Sequence, residues 1–220
     1  MVSSIRNEYI QRDDYQKTLQ AAKPLLEDLS AWYKDLEQDS ENIEDRDDAP
    51  VTCSNILKLG NHYIKTNIFR AIMRPFLTAE NPLNPLPPDA REAMKHARAS
   101  ARSCTRGAFE FIWGLNQDHL PRFWPQWTRS VYSAISYFML LMFITSESFE
   151  EARYWIIELQ MLRKELRIKQ NLHTFLRLGQ IRIDAVFSKD MRDVVDLKPH
   201  VRSALDETSH TVNSRQARPT

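Results

Sequence analysis

The sequence predicts an all-α fold, a single helical bundle of about six helices around one central buried helix. Three observations carry this. Apolar residues recur at three- and four-residue spacing over most of the chain. Four glycines in 220 residues are too few for the positive-φ turns of sheet proteins or for phosphate-cradling loops. The segment Ser130 to Ser146 carries no charge and lies between charged helices. It is at the short limit for a membrane span and contains hydroxyl side chains, so it reads as a helix buried on all sides.

The first helix is expected over Gln16–Gln38, with Leu19, Ala22, Leu26, Leu29, Tyr33 and Leu36 on one face. Pro24 either kinks it or marks its first turn. An acidic loop, 39–50, follows. The second helix spans Ser54–Met73 and should end near Arg74, because proline disfavours helical geometry in the residue before it. A proline-rich connector, 78–88, leads to a third helix that opens at Asp89 with Glu92 in capping-box spacing. Small residues (Ala93, Ala97, Ala101, Cys104, Ala108) line that helix and would admit a close neighbour.

After "NQDHLPRFWPQW" the uncharged helix runs to about Thr145. Ser148 and Glu151 then repeat the capping-box spacing before Ala152, Trp155, Ile156, Leu159, Leu162 and Leu166. A sixth helix carries Leu172, Phe175, Leu176, Gly179, Ile183 and Val186. Periodicity fades near Lys189, and 189–220 reads as a disordered tail behind a domain of residues 1–188.

Composition excludes several classes of chemistry. A net charge of +1 exerts no general pull on nucleic acid or membranes. Two cysteines, Cys53 and Cys104, make neither a disulfide framework nor a zinc cluster, and both read as small buried side chains of a reduced, intracellular protein. The polar N-terminus has no apolar signal region, so the chain is expected in the nucleus or cytoplasm and not secreted. "DRDD", Asp45–Asp48, spells the proton-donating motif of some helical cyclases, yet it sits among other acids and reads as a solvated loop. Nucleophile elbow, phosphate loop, paired-histidine and CxxC patterns are missing from the sequence, so no metal and no cofactor is expected.

Two groups of residues are candidates for a ligand pocket. His62, Thr66, Arg70 and Arg74 form a polar stripe at four-residue spacing on the second helix. Its ordinary alternative is a solvated helix face. Trp113, His119, Trp124, Trp127 and Tyr132 form an aromatic group able to supply apolar area and N–H donors, or simply a core plug. No residue is singled out as catalytic.

A resemblance runs through these pieces in order. "IFRAIMRPFL", an apolar helix closing on Arg-Pro-Phe-Leu, resembles the middle-homology (regulatory) region of fungal-specific transcription factors, whose N-terminal module is a zinc binuclear cluster. "LLEDLSAWYKDL", "CTRGAFEFI", "FWPQWTRSVYSAISYFMLLMFITS" and "EARYWIIELQMLRKELR" are similar to successive helices of that region. The likeness covers about Leu19 to Phe187. The family's six-cysteine cluster is absent from this sequence, so neither zinc nor direct sequence-specific DNA binding carries over. The resemblance implies a transcription-regulator-like helical domain that binds a small-molecule effector or a partner protein, with no membrane and an open oligomeric state. The alternatives are a stand-alone, cofactor-independent cyclase or isomerase acting on an apolar substrate of secondary metabolism, and an interaction scaffold without a pocket. The initial Met fits a short natural protein or a piece of a larger activator equally well.

Overall fold

A computed structural model describes residues 13–44, 51–79, 86–115, 125–169, 176–188 and 197–216. Among the described residues the chain forms seven α-helices: α1 (Asp13–Glu44), α2 (Val51–Ala79), α3 (Pro88–Gly114), α4 (Thr128–Ile144), α5 (Phe149–Lys169), α6 (Arg177–Phe187) and α7 (Pro199–Gln216). The all-α expectation holds. The helices separate into two compact units, one with α1–α3 and one with α4–α7.

In the first unit α1 packs on α2 and α2 on α3, in up-down-up order. α1 continues through Pro24, which is exposed, and reaches Glu44, so part of the expected acidic loop is helical. Residues 45–50, with the DRDD acids, lie outside the described residues. α2 does not stop at Arg74. It continues through Pro75 to Ala79 because Met73 and Phe76 are fully buried and anchor both sides of the proline. Pro75 itself is half-buried, one turn beyond exposed Ala71.

α3 also starts differently from its spacing. Pro87 occupies the N-cap position without a side-chain cap, and Pro88 opens the helix with the fixed φ that suits a first turn. Asp89 is therefore inside the helix. Its carboxylate accepts the Tyr15 hydroxyl at 2.9 Å, tying the start of α3 to the start of α1. Residues 80–85 of the proline-rich connector are outside the described residues.

The second unit is built on α4. Val131, Tyr132, Ile135, Phe138, Met139, Met142 and Phe143 are all buried, as expected of a central helix. Among the described residues no helix is long and apolar enough to cross a membrane. α4 packs on both α5 and α6, and α5 also packs on α6 and α7. Ser148 caps α5 through the Glu151 N–H at 3.2 Å, and the Glu151 carboxylate accepts the Glu147 N–H at 2.9 Å, close to the expected capping box.

α6 approaches α4 closely at Gly179. A Cβ there would stand 3.0 Å from Ser136 Oγ and 3.2 Å from the Tyr132 carbonyl oxygen. Leu172 and Phe175 lie outside the described residues. α7 corrects the expectation of a disordered tail. Val201, Ala204, Leu205 and Thr208 are buried at helical spacing, and His200 Nε2 lies 2.8 Å from the Ser146 carbonyl oxygen. The stripe is short and its intervening residues are polar, so tertiary burial rather than local pattern establishes this helix.

Candidate functional site

α1 and α3 flank α2; they bond directly near one end and are bridged by an α2 side chain near the other. At one end Tyr15 bonds Asp89 and packs on Phe76, ring centroids 5.4 Å apart. At the other, the His62 ring of α2 stands between Tyr33 of α1 (6.3 Å) and Phe111 of α3 (5.5 Å). Tyr15 and Tyr33 are separated by about 27 Å at the helical rise of ~1.5 Å per residue. Between them the two helices leave an open groove of about 480 Å³.

Phe69 and Ile72 of α2 form the floor. Leu19, Ala22 and Leu26 of α1 face Ala93, Ala97 and Ser100 of α3 across it. The groove follows from side-chain size. An alanine or serine at each of those α3 positions leaves the space that larger core residues would fill. Lys23, Glu27 and His96 stand on the rim, where Lys23 and Glu27 make an exposed pair at 4.0 Å. The size falls within the range of small-molecule sites, and the open, mostly apolar form also suits a helix laid along it.

The polar stripe predicted on α2 is distributed differently. Thr66 is fully buried, and its hydroxyl donates to the His62 carbonyl oxygen at 2.7 Å. Arg70 is half-buried and donates to Asn67 Oδ1 at 3.3 Å, while Arg74 is exposed. His62 is held by aromatic rings and lies against Gly107, whose Cβ would stand 3.5 Å from His62 Cε1. Burial, and then the Lys65 ammonium one turn on, lower its pKa to about 4. Burial pushes the Cys104 thiol beside Thr66 up to about 11, against the opposing influence of Lys65 and the Thr66 hydrogen bond. Near neutral pH these groups are a neutral imidazole and an intact thiol. Neither is set for proton transfer or nucleophilic attack.

The aromatic candidates belong to different units. Trp113, on α3, is exposed and makes an edge contact with Phe109 at 5.3 Å. Trp127 stands exposed at the start of α4, and Tyr132 is buried within α4, where burial raises its phenol pKa. His119, Trp124 and the side chain of Cys53 lie outside the described residues. The structure brings His62 and Thr66 together but lines its groove with other residues. The small residues of α3 are expected to admit a close neighbour; at Ala93 and Ala97 they line an open groove instead. The sequence pattern does not mark Asn61, 1% exposed, whose side-chain amide has no hydrogen-bond partner among the described residues.

Over 137 residues, 62% of the chain, the sequence is 29% identical to the transcriptional activator protein DAL81 of Saccharomyces cerevisiae. The chain is similar to part of a fungal transcription regulator. It spans 13% of that relative's length. No protein-family model matches the chain, and no solved structure matches it.

Proposed function

We propose that this chain is a transcription-regulator-like helical module, working in the nucleus or cytoplasm, that takes an apolar effector or the apolar side chains of a partner protein into the groove between α1 and α3. The observation that carries this reading is the groove itself: an apolar floor and walls, charged only at the rim, framed at both ends by aromatic contacts. Burial of apolar groups would supply affinity, and Lys23, Glu27, Ser30 and His96 would orient the occupant. Direct DNA binding is not part of the proposal. On α3 Lys95 is paired with Glu92 and Arg106 with Glu110, so part of its positive charge is already neutralised.

The test fuses the chain to a foreign DNA-binding module and reads a reporter gene. Ala93→Phe, at a partly exposed wall position, fills the groove with little strain on the helix. The fusion should change reporter output, and Ala93→Phe should abolish the change while helix content is unchanged and unfolding stability stays within about 0.5 kcal/mol of the parent. A fusion that leaves the reporter untouched, or an Ala93→Phe fusion that acts like the parent, sinks the reading.

A further inference from the structure

The second unit presents a different surface on the outer side of α6. Gly179 and Ile183 face the interior, so Leu178 and Ile181 point the opposite way. They are 45% and 53% exposed, and Tyr137 on neighbouring α4 is 43% exposed. The Arg182 guanidinium lies 6.0 Å from the Tyr137 ring centroid and links the tyrosine to the α6 stripe. Leu178 and Arg182 are four residues apart, one turn of the same face. Leu178, Ile181 and Tyr137 thus form an exposed apolar strip over two helices, with the Arg182 guanidinium beside the tyrosine.

Its borders are cationic. Arg182 stands on the α4 side. On the α5 side are Arg177 and the pair Arg163 and Arg167, both bound to Asp184. Gln180 Nε2 donates to the same carboxylate at 3.1 Å. Among the described residues, Arg177 and Arg182 flank the strip, and Arg163 and Arg167 share the carboxylate of Asp184. The Asp184 network also pins α6 to α5, so the strip is presented on a fixed backbone.

From this charge complementarity we infer that the α4/α6 face binds an acidic amphipathic helix of a partner protein. Its apolar side chains would cover Leu178, Ile181 and Tyr137, and its carboxylates would meet Arg177 and Arg182. Guanidinium groups pair with carboxylates through two parallel hydrogen bonds, which suits a peptide that brings acids at the edges of an apolar stripe. A nucleic acid fits less well, because its phosphates would lie over aliphatic carbon at the middle of the face. A bilayer fits less well too. Two aliphatic side chains and a tyrosine are a small area for insertion, whereas a peptide helix supplies apolar area of its own.

Fluorescence anisotropy with the whole chain tests the inference. The probe is a labelled designed helix with leucines on one face and glutamates beside them. The comparisons are the same peptide with lysines for glutamates, phosphatidylserine vesicles and duplex DNA. The acidic peptide should bind, and the lysine peptide should bind at least about tenfold more weakly. Ile181→Glu and Arg182→Glu should each weaken the acidic peptide about tenfold, with unchanged helix content. Leu178→Ser serves as a second apolar probe should Ile181→Glu alter folding. Ala93→Phe should leave peptide binding untouched, which separates this face from the groove of the first unit. Equal binding of both peptides overturns the inference. So does acidic-peptide binding that survives every α6 substitution, or a preference for vesicles or DNA that Ile181→Glu removes.

Discussion

The two units solve the same packing problem with opposite side-chain choices. In the α1–α3 unit, α2 is shared by both neighbours, and alanine or serine at the facing α3 positions keeps the middle of the layer open. In the α4–α7 unit, α4 carries Phe138, Met139, Met142 and Phe143 in full burial, and α6 is drawn against it at a glycine. Small residues therefore have two different consequences. On a flank they leave a groove; at a contact they let backbones close up. What decides between them is whether a large side chain from another helix reaches the vacated space.

The sharpest break in the comparison is expected at Trp155, fully buried on α5 with its indole N–H directed at Glu151 Oε1, 3.5 Å away. Trp155→Ala should cost about 3–5 kcal/mol in chemical denaturation, since a core of this kind cannot collapse around a lost indole. A loss under about 1 kcal/mol would mean that the α4–α7 core is as loosely filled as the groove.

The first unit should instead be marked by its response to acid. His62 ionises at about 4 when folded against 6.5 when free, so the unfolded chain binds more protons in that window. Stability is therefore full above pH 6.5 and falls as pH drops toward 4, by up to about 3 kcal/mol from this group. His62→Phe should flatten that part of the pH profile. An unchanged difference between parent and variant from pH 7 to 4 would show that the imidazole is not desolvated as described.

Gly179→Val tests the close approach in the second unit. Its added carbons would press on Ser136 Oγ and the Tyr132 carbonyl, and thermal denaturation should report a loss of about 1–3 kcal/mol. A stabilised variant would show that α4 and α6 have room to part. Ser148→Ala is the gentlest test. It removes the hydroxyl that receives the Glu151 N–H and should cost about 1 kcal/mol, read as a small shift of the same melting curve.

Much of the fold was legible along the chain. The stripe at Ala152, Trp155, Ile156, Leu159 and Leu162 is buried as its spacing predicts, and the uncharged segment is the buried helix α4. The misreadings occurred where local rules compete with burial. Pro75 and Pro24 are breakers by local chemistry, but the helices pass through them, with Pro24 exposed and Pro75 half-buried between the buried Met73 and Phe76. Asp89 has the residue type and spacing of a cap, yet Tyr15, 74 positions away in sequence, takes its carboxylate. α7 offers a weak stripe of four buried residues, too little to stand out from a polar tail.

The sequence by itself determined the helical class, the buried α4 and the cap of α5, because each depends on neighbours within one or two turns. The same locality made His62 and Thr66 visible as a stripe, but not whether that stripe met solvent, a ligand or other helices. Only the tertiary structure decided that His62 is closed in by Tyr33 and Phe111. It also decided that the open space lies a few turns away, between Leu26 and Ala97, and that Leu178 and Ile181 face outward. A groove or an exposed face is a relation between elements distant along the chain. It is set by which helices pack and which side chains fail to meet, and no periodicity within a single helix encodes that.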